Sequence, residues 1–200
     1  MFSAGAADAL APCPAPSSNP QPHPRLLLYS TARLAIRRLT LEDAPFIREL
    51  VTEPGWMEHI GDRGVRTVAD AERYLREGPL ASYAAHGHGL YRVAIRSTGE
   101  PVGICGLLKR DGLYAPDLGY AILARHAGRG YATEAARETL VHARRDLGMT
   151  RVLAITTEAN AASQRVLEKV GMRRVETRTL PGAEAPSAVF AVDLAPVSIP

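Results

Sequence analysis

Between Asp117 and Leu147 the chain writes a short strand, a turn with two glycines and a long helix without a spacer, and few architectures accommodate that succession. Asp117 to Leu123 is a run of strand type, and Arg125-His126-Ala127-Gly128-Arg129-Gly130 puts glycine where the backbone has to reverse. Beyond it Ala132, Ala136, Leu140, Ala143 and Leu147 recur at spacings of three and four, so one helix face packs on a sheet. The first N–H groups of a helix have no intrahelical acceptor. Together with the turn amides from Arg125 to Ala132, Tyr131 included, and the positive end of the helix dipole, they form a site for a pyrophosphate. The plain alternative is that Gly128 and Gly130 only turn the chain.

Two other phosphate loops are disfavoured by spelling. A Walker loop ends in Gly-Lys-Ser/Thr, whereas Gly130 is followed by Tyr131 and Ala132. A dinucleotide fingerprint needs a third glycine where Thr133 stands, and an early place in a βαβ unit.

Arg125, Gly128 and Gly130 match the Arg/Gln-x-x-Gly-x-Gly/Ala signature, and from about Thr31 to Leu194 the chain resembles the GNAT family of N-acetyltransferases. Asp117-Leu-Gly-Tyr before the turn and Tyr131-Ala-Thr-Glu-Ala after it are similar to the ribosomal-protein (RimJ/RimL-like) acetyltransferase branch. So is Asn160-Ala-Ala-Ser163 followed by Gly171-Met172, although Phe is commoner than Met at that last position. The resemblance implies an α/β fold with a mixed, mostly antiparallel sheet, flanked by about four helices. The sheet is expected to part at the cofactor cleft, between Asp117–Leu123 and Arg151–Thr156. It implies acetyl-CoA as co-substrate, with pantetheine along the backbone of Ala121, Ile122 and Leu123 and with Asn160 touching the CoA arm. A primary amine of a protein N-terminus or a small molecule attacks directly. Ser163 protonates the departing thiolate, and Asp117 takes the proton of the amine through water, in room left on its face by Gly119 and Ala121. Each has an ordinary competitor: Asn160 is a favoured helix N-cap, Ser163 a first-turn serine, Asp117 a solvated carboxylate. Glu134 is explained by the helix dipole alone. Trp56, Met57 and His59 either line the acceptor side or plug the gap between helices. A non-catalytic acyl-CoA-binding module and a nucleotide-dependent enzyme are the rival readings, and a homodimer is compatible with the family.

The rest of the 200 residues agrees with one domain: 46% are hydrophobic and 22% charged. A net charge of +3, without a basic run, does not point to nucleic acid. Cys13 and Cys105 support neither a disulfide framework nor a metal site, and a cytoplasmic setting fits. The six histidines lack ligand spacing, and His86 and His88 read as loop residues at the surface. No apolar run reaches the roughly eighteen residues of a membrane helix. Residues 1–28, rich in Ala, Pro and Ser, read as a disordered tail, residues 29–195 as the domain and 196–200 as a second tail. Within the domain a strand at Arg33–Leu39 and a helix from Thr40 through Val51 come first, then a loop from Glu53 to Arg66. A helix from Thr67 follows, which Gly78-Pro79 breaks before a last turn near Ala84. Strands at Leu90–Arg96 and Val102–Leu108 form a hairpin. The central stretch, a helix at Ala161–Val170 and closing strands near Val175–Leu180 and Ala188–Leu194 complete the order.

Overall fold

The computed structural model describes residues 27–183 and 185–195. Eight strands form one sheet: β1 (Leu27–Ser30), β2 (Leu34–Arg38), β3 (Leu90–Ile95), β4 (Pro101–Leu108), β5 (Asp117–Ile122), β6 (Arg151–Thr157), β7 (Arg173–Arg178) and β8 (Ser187–Asp193). Their spatial order is β1-β2-β3-β4-β5-β6-β8-β7. Helices α1 (Ala44–Val51), α2 (Pro54–His59), α3 (Val68–Leu75) and α4 (Ala81–His86) lie between β2 and β3, α5 (Tyr131–Arg145) between β5 and β6, and α6 (Ala161–Lys169) between β6 and β7.

Alternation along the strands sorts the core into two layers. Cys105, Leu107 and Leu118 face α5, together with Val152 and Ala154 of β6. Ile104, Leu108 and Ala121 face the opposite way, into the layer closed by α1, α2 and α3. Small side chains, Ala135, Ala136, Thr139 and Ala143, let α5 sit close to the sheet, all of them shielded from water. The α1 end of the second layer is tied down by Asp43. Its buried carboxylate accepts from Arg37 at 2.7 and 2.8 Å and from Thr40 N–H at 2.9 Å. Loss of one partner from such a buried pair costs about 3–5 kcal/mol.

Three elements differ from the sequence reading. The sheet begins at Leu27, two residues inside the stretch assigned to the tail, because Leu27 pairs with Arg37 and Tyr29 is buried with its hydroxyl 2.9 Å from Thr139 Oγ1. The prolines just before it hid a four-residue strand; residues 1–26 and 196–200 lie outside the described residues. The expected loop at Glu53–Arg66 contains α2, which Pro54 opens, a position where proline is at home. Gly78-Pro79 does not break the helix: a π-turn over Arg76–Leu80 carries the chain from α3 into α4 with Pro79 inside it. The wider turn accommodates a residue without an N–H.

What positions the site is a defect in the sheet. β4 and β5 are paired from Gly103 opposite Ile122 to Leu108 opposite Asp117, and β6 and β8 from Arg151 opposite Asp193 to Thr157 opposite Ser187. The parallel pair β5 and β6, among the described residues, meets only at Asp117 opposite Leu153, with Leu153 N–H donating to Pro116 O at 2.9 Å. Beyond that point the strands diverge and leave a slot through the sheet.

Candidate active site

The slot's wall is backbone. Leu123 N–H donates to Val102 O of β4, and because donors alternate along an antiparallel strand, Asp117, Gly119 and Ala121 also aim theirs at β4. Tyr120 and Ile122 therefore turn their N–H and C=O groups into the slot, while the N–H of Leu118 is taken up by the one bridge at its closed end. Of Ala121, Ile122 and Leu123, Ile122 alone presents its main chain there. This corrects the expectation for the other two, whose amides are engaged within the sheet.

At the open end of β5 a single turn over Ala124–His126 leads into Ala127, Gly128, Arg129 and Gly130. Gly128 and Gly130 have φ of 75° and 79°, a left-handed region in which a side chain is strained. A Cβ at Gly128 would meet nothing within 4 Å, and one at Gly130 only the end of Arg33 at 3.5 Å. The space above the turn is open. Among the described residues the N–H groups of Gly128, Arg129 and Gly130 make no hydrogen bond of normal geometry. Gly130 is the N-cap of α5, so the N–H groups of Tyr131 and Ala132 in the first helical turn add to them. This is the cradle a diphosphate needs. A groove of about 540 Å³ continues from it along α5, lined by Arg33, Arg137 and Lys169 among others.

The side chains of the turn point elsewhere. Arg125 pairs with Glu49 of α1. His126 is buried with Nε2 3.0 Å from Glu100 Oε1. Glu134, explained from sequence by the dipole alone, binds Thr31 Oγ1 at 2.5 Å and Arg33 Nε at 2.6 Å, which joins the first turn of α5 to the β1–β2 turn.

Across the slot, Asn160 caps α6 by accepting Ser163 N–H on Oδ1 at 2.9 Å, which leaves its amide NH2 free of that task. Ser163 Oγ lies 2.9 Å from Tyr120 Oη, and the tyrosine donates to the Ser163 carbonyl at 3.0 Å. Burial pushes the Tyr120 hydroxyl up to about 12, so it keeps its proton at neutral pH. Tyr120 went unnoticed in the sequence. Strand alternation could have found it, since it puts Tyr120 on the face opposite Asp117, the face that α6 approaches.

Asp117 is 1% exposed, not solvated. Oδ2 accepts from Arg110 Nε at 2.9 Å, and Oδ1 is buried without a partner. Burial raises its pKa, and the Arg110 guanidinium holds back part of the rise. Asp117 and Ser163 lie on opposite faces of the sheet, at the closed end and on one flank of the slot. The room expected beside Gly119 is filled: Leu108 Cδ1 lies 2.7 Å from where a Cβ of Gly119 would stand. Cross-strand register explains it, because Leu108 is opposite Asp117 and leans over the neighbouring glycine on the same face. Trp56 is buried, with Nε1–H donating to Gly61 O at 3.1 Å, which makes it the plug; Met57 beside it is exposed. His88, expected at the surface, is buried with Nδ1 3.0 Å from Leu107 O.

Known proteins resemble this chain in sequence pattern and in fold. The pattern of the acetyltransferase (GNAT) domain matches residues 33–173. The uncharacterized N-acetyltransferase YnaD of Bacillus subtilis is 26% identical over 145 residues, 72% of this chain and 82% of its own length. An acetyltransferase of the GNAT family from Bacillus anthracis superposes with a TM-score of 0.70 at 25% identity, covering 84% of this chain and 98% of that one. RimL, a ribosomal L7/L12 alpha-N-protein acetyltransferase solved with coenzyme A, superposes with a TM-score of 0.72 over 84% of this chain and 98% of its own, and at 15% identity that likeness is one of fold. A split sheet, a glycine turn of unclaimed amides at its mouth and a domain pattern spanning both place the chain in the GNAT family, as an acetyl-CoA-dependent acetyltransferase.

Proposed function

We propose that this acetyltransferase moves the acetyl group to a primary amine by direct attack, and that it works in the manner of the ribosomal-protein branch, on a protein N-terminus or a small-molecule amine. The observation that carries the reading is the slot between β5 and β6, which opens onto the free amides of Gly128, Arg129 and Gly130. Pantetheine fits the slot as an added strand against Ile122 and Tyr120, with Asn160 on the other wall. The pyrophosphate lies on the turn from Arg125 to Ala132.

The amine nitrogen forms a bond to the thioester carbon, and the carbonyl oxygen takes up negative charge against a backbone N–H of β5, which is a fixed dipole. As the intermediate collapses the C–S bond breaks, and Ser163 Oγ–H, held 2.9 Å from Tyr120 Oη, supplies the proton to sulfur and regains one from solvent after the thiol leaves. The amine's surplus proton is assigned to Asp117, whose pKa burial raises; because Leu108 fills the space over Gly119, water reaches the carboxylate only once that side chain gives way. Most of the acceleration comes from holding amine and thioester together, which reaches about 7–11 kcal/mol in favourable cases.

Thermal melting with acetyl-CoA, NAD and ATP tests the reading. Acetyl-CoA at a hundred times its dissociation constant stabilises by about 2.7 kcal/mol, a shift of roughly 5 °C or more. Gly130→Val abolishes the shift, because a branched side chain at positive φ enters the cradle. Stabilisation by NAD or ATP instead, or normal acetyl-CoA binding by Gly130→Val, would overturn the assignment of the turn.

A further inference from the structure

Glu53 holds the N-cap position of α2 with extended backbone, φ −66° and ψ 146°, yet its carboxylate makes no hydrogen bond to its own helix. It reaches over 71 residues to Ala124, whose N–H donates to Oε1 at 3.1 Å and Oε2 at 3.0 Å. Ala124 is the first residue of the turn that delivers the chain to Gly128 and Gly130. The two neighbouring carboxylates face cations or imidazole: Glu49 faces Arg125, and Glu100 faces His126. Glu53, among the described residues, forms no ion pair and gives both oxygens to one backbone donor.

That is a costly place for a free carboxylate, since like charges repel and the turn beside it receives a diphosphate. A residue serving α2 alone would cap α2, where a side-chain oxygen satisfies one of the helix's own N–H groups. Glu53 instead joins two elements on different sides of the reaction. α2 packs through Trp56 into the layer that also holds Leu90, Ile104 and Ala121, on the face of Asp117, and Ala124 belongs to the cofactor turn. Resting on the assignment of that turn to acetyl-CoA, we propose that Glu53 is a positioning residue: it fixes Ala124 from α2, so that occupancy of the turn is felt by the helix on the acceptor side.

The chain carries its own reporter, because Trp56 is its single tryptophan and sits on α2. Acetyl-CoA is titrated into the full chain while Trp56 emission and melting temperature are followed together. The emission of the wild type changes and saturates with the same midpoint as the melting shift. Glu53→Gln, which keeps an oxygen for Ala124 N–H, retains the response. Glu53→Ala loses it, and its half-saturating acetyl-CoA concentration rises roughly fivefold, as expected for a lost capping bond. A wild type that melts higher with Trp56 silent overturns the proposal, as does a Glu53→Ala that keeps the emission change. A Glu53→Gln indistinguishable from Glu53→Ala also overturns it, by assigning the effect to charge. No melting response in the wild type removes the assignment of the turn itself, and the proposal with it.

Discussion

Ser163 and Asp117 face away from each other across the thickness of the sheet, so in the proposed mechanism the proton given to sulfur and the proton taken from the amine are handled by groups that cannot exchange them directly. Ser163→Ala is expected to lower turnover by roughly a hundredfold with little change in the KM for acetyl-CoA. Tyr120→Phe should cost about tenfold, and the double variant no more than Ser163→Ala alone, since the tyrosine acts through the serine. Steady-state rates on one amine decide it; independent, multiplying losses would separate the two residues. For Asp117 the sign is set by burial. Its folded pKa lies above the unfolded value, so its contribution to stability is greatest below the unfolded pKa and is lost as pH rises through the folded one, while its competence as a base is gained over that same rise. Asp117→Asn should therefore depress the rate most at pH above the folded pKa of Asp117 and below that of the amine, and recover in part as free amine becomes common. A profile parallel to the wild type would leave Asp117 as the anchor of Arg110 alone. Residue types at the site were legible in the sequence, but environments were not: nothing local announced that Arg110 sits on Asp117 or that Leu108 fills the space over Gly119, because both depend on the pairing of β4 with β5.

The strand, glycine turn and long helix could be read directly because each carries its own periodicity or backbone requirement. The structure puts α5 at Tyr131–Arg145 with Gly130 as its cap. The same holds for α6, whose Asn160 caps as its type suggests. Elements made by long-range partners were hidden. β1 is four residues long and is recognisable by what it touches, Arg37 across the ladder and Thr139 beneath. α2 is short, begins Pro-Gly, and earns its helical form from Trp56 in the second core layer. In both places the local sequence spells punctuation, and tertiary packing overrules it.

Seen entire, the domain is two sheet halves, β1–β5 and β6-β8-β7, joined by one bridged pair. Among the described residues no helix is long and apolar enough to cross a membrane. A chain lacking residues 1–26 is expected to melt within about 2 °C of the full one and to bind acetyl-CoA equally, because β1 and its partners remain whole; a loss of several degrees would show that the segment packs on the domain. The single bridge has a mechanical meaning. A hydrogen-bonded ladder resists sliding of one strand past the next, and between β5 and β6 that resistance is nearly missing. The gap is gauged instead by the helices on either bank, α5 seated on β4 and β5, α6 against β6, with Arg137 reaching the Lys169 carbonyl and Tyr120 reaching Ser163 as cross-ties. The alanines under α5 thus act as shims: they set how deep that helix sits on β4 and β5, and with it where the tie from Arg137 across to α6 is anchored.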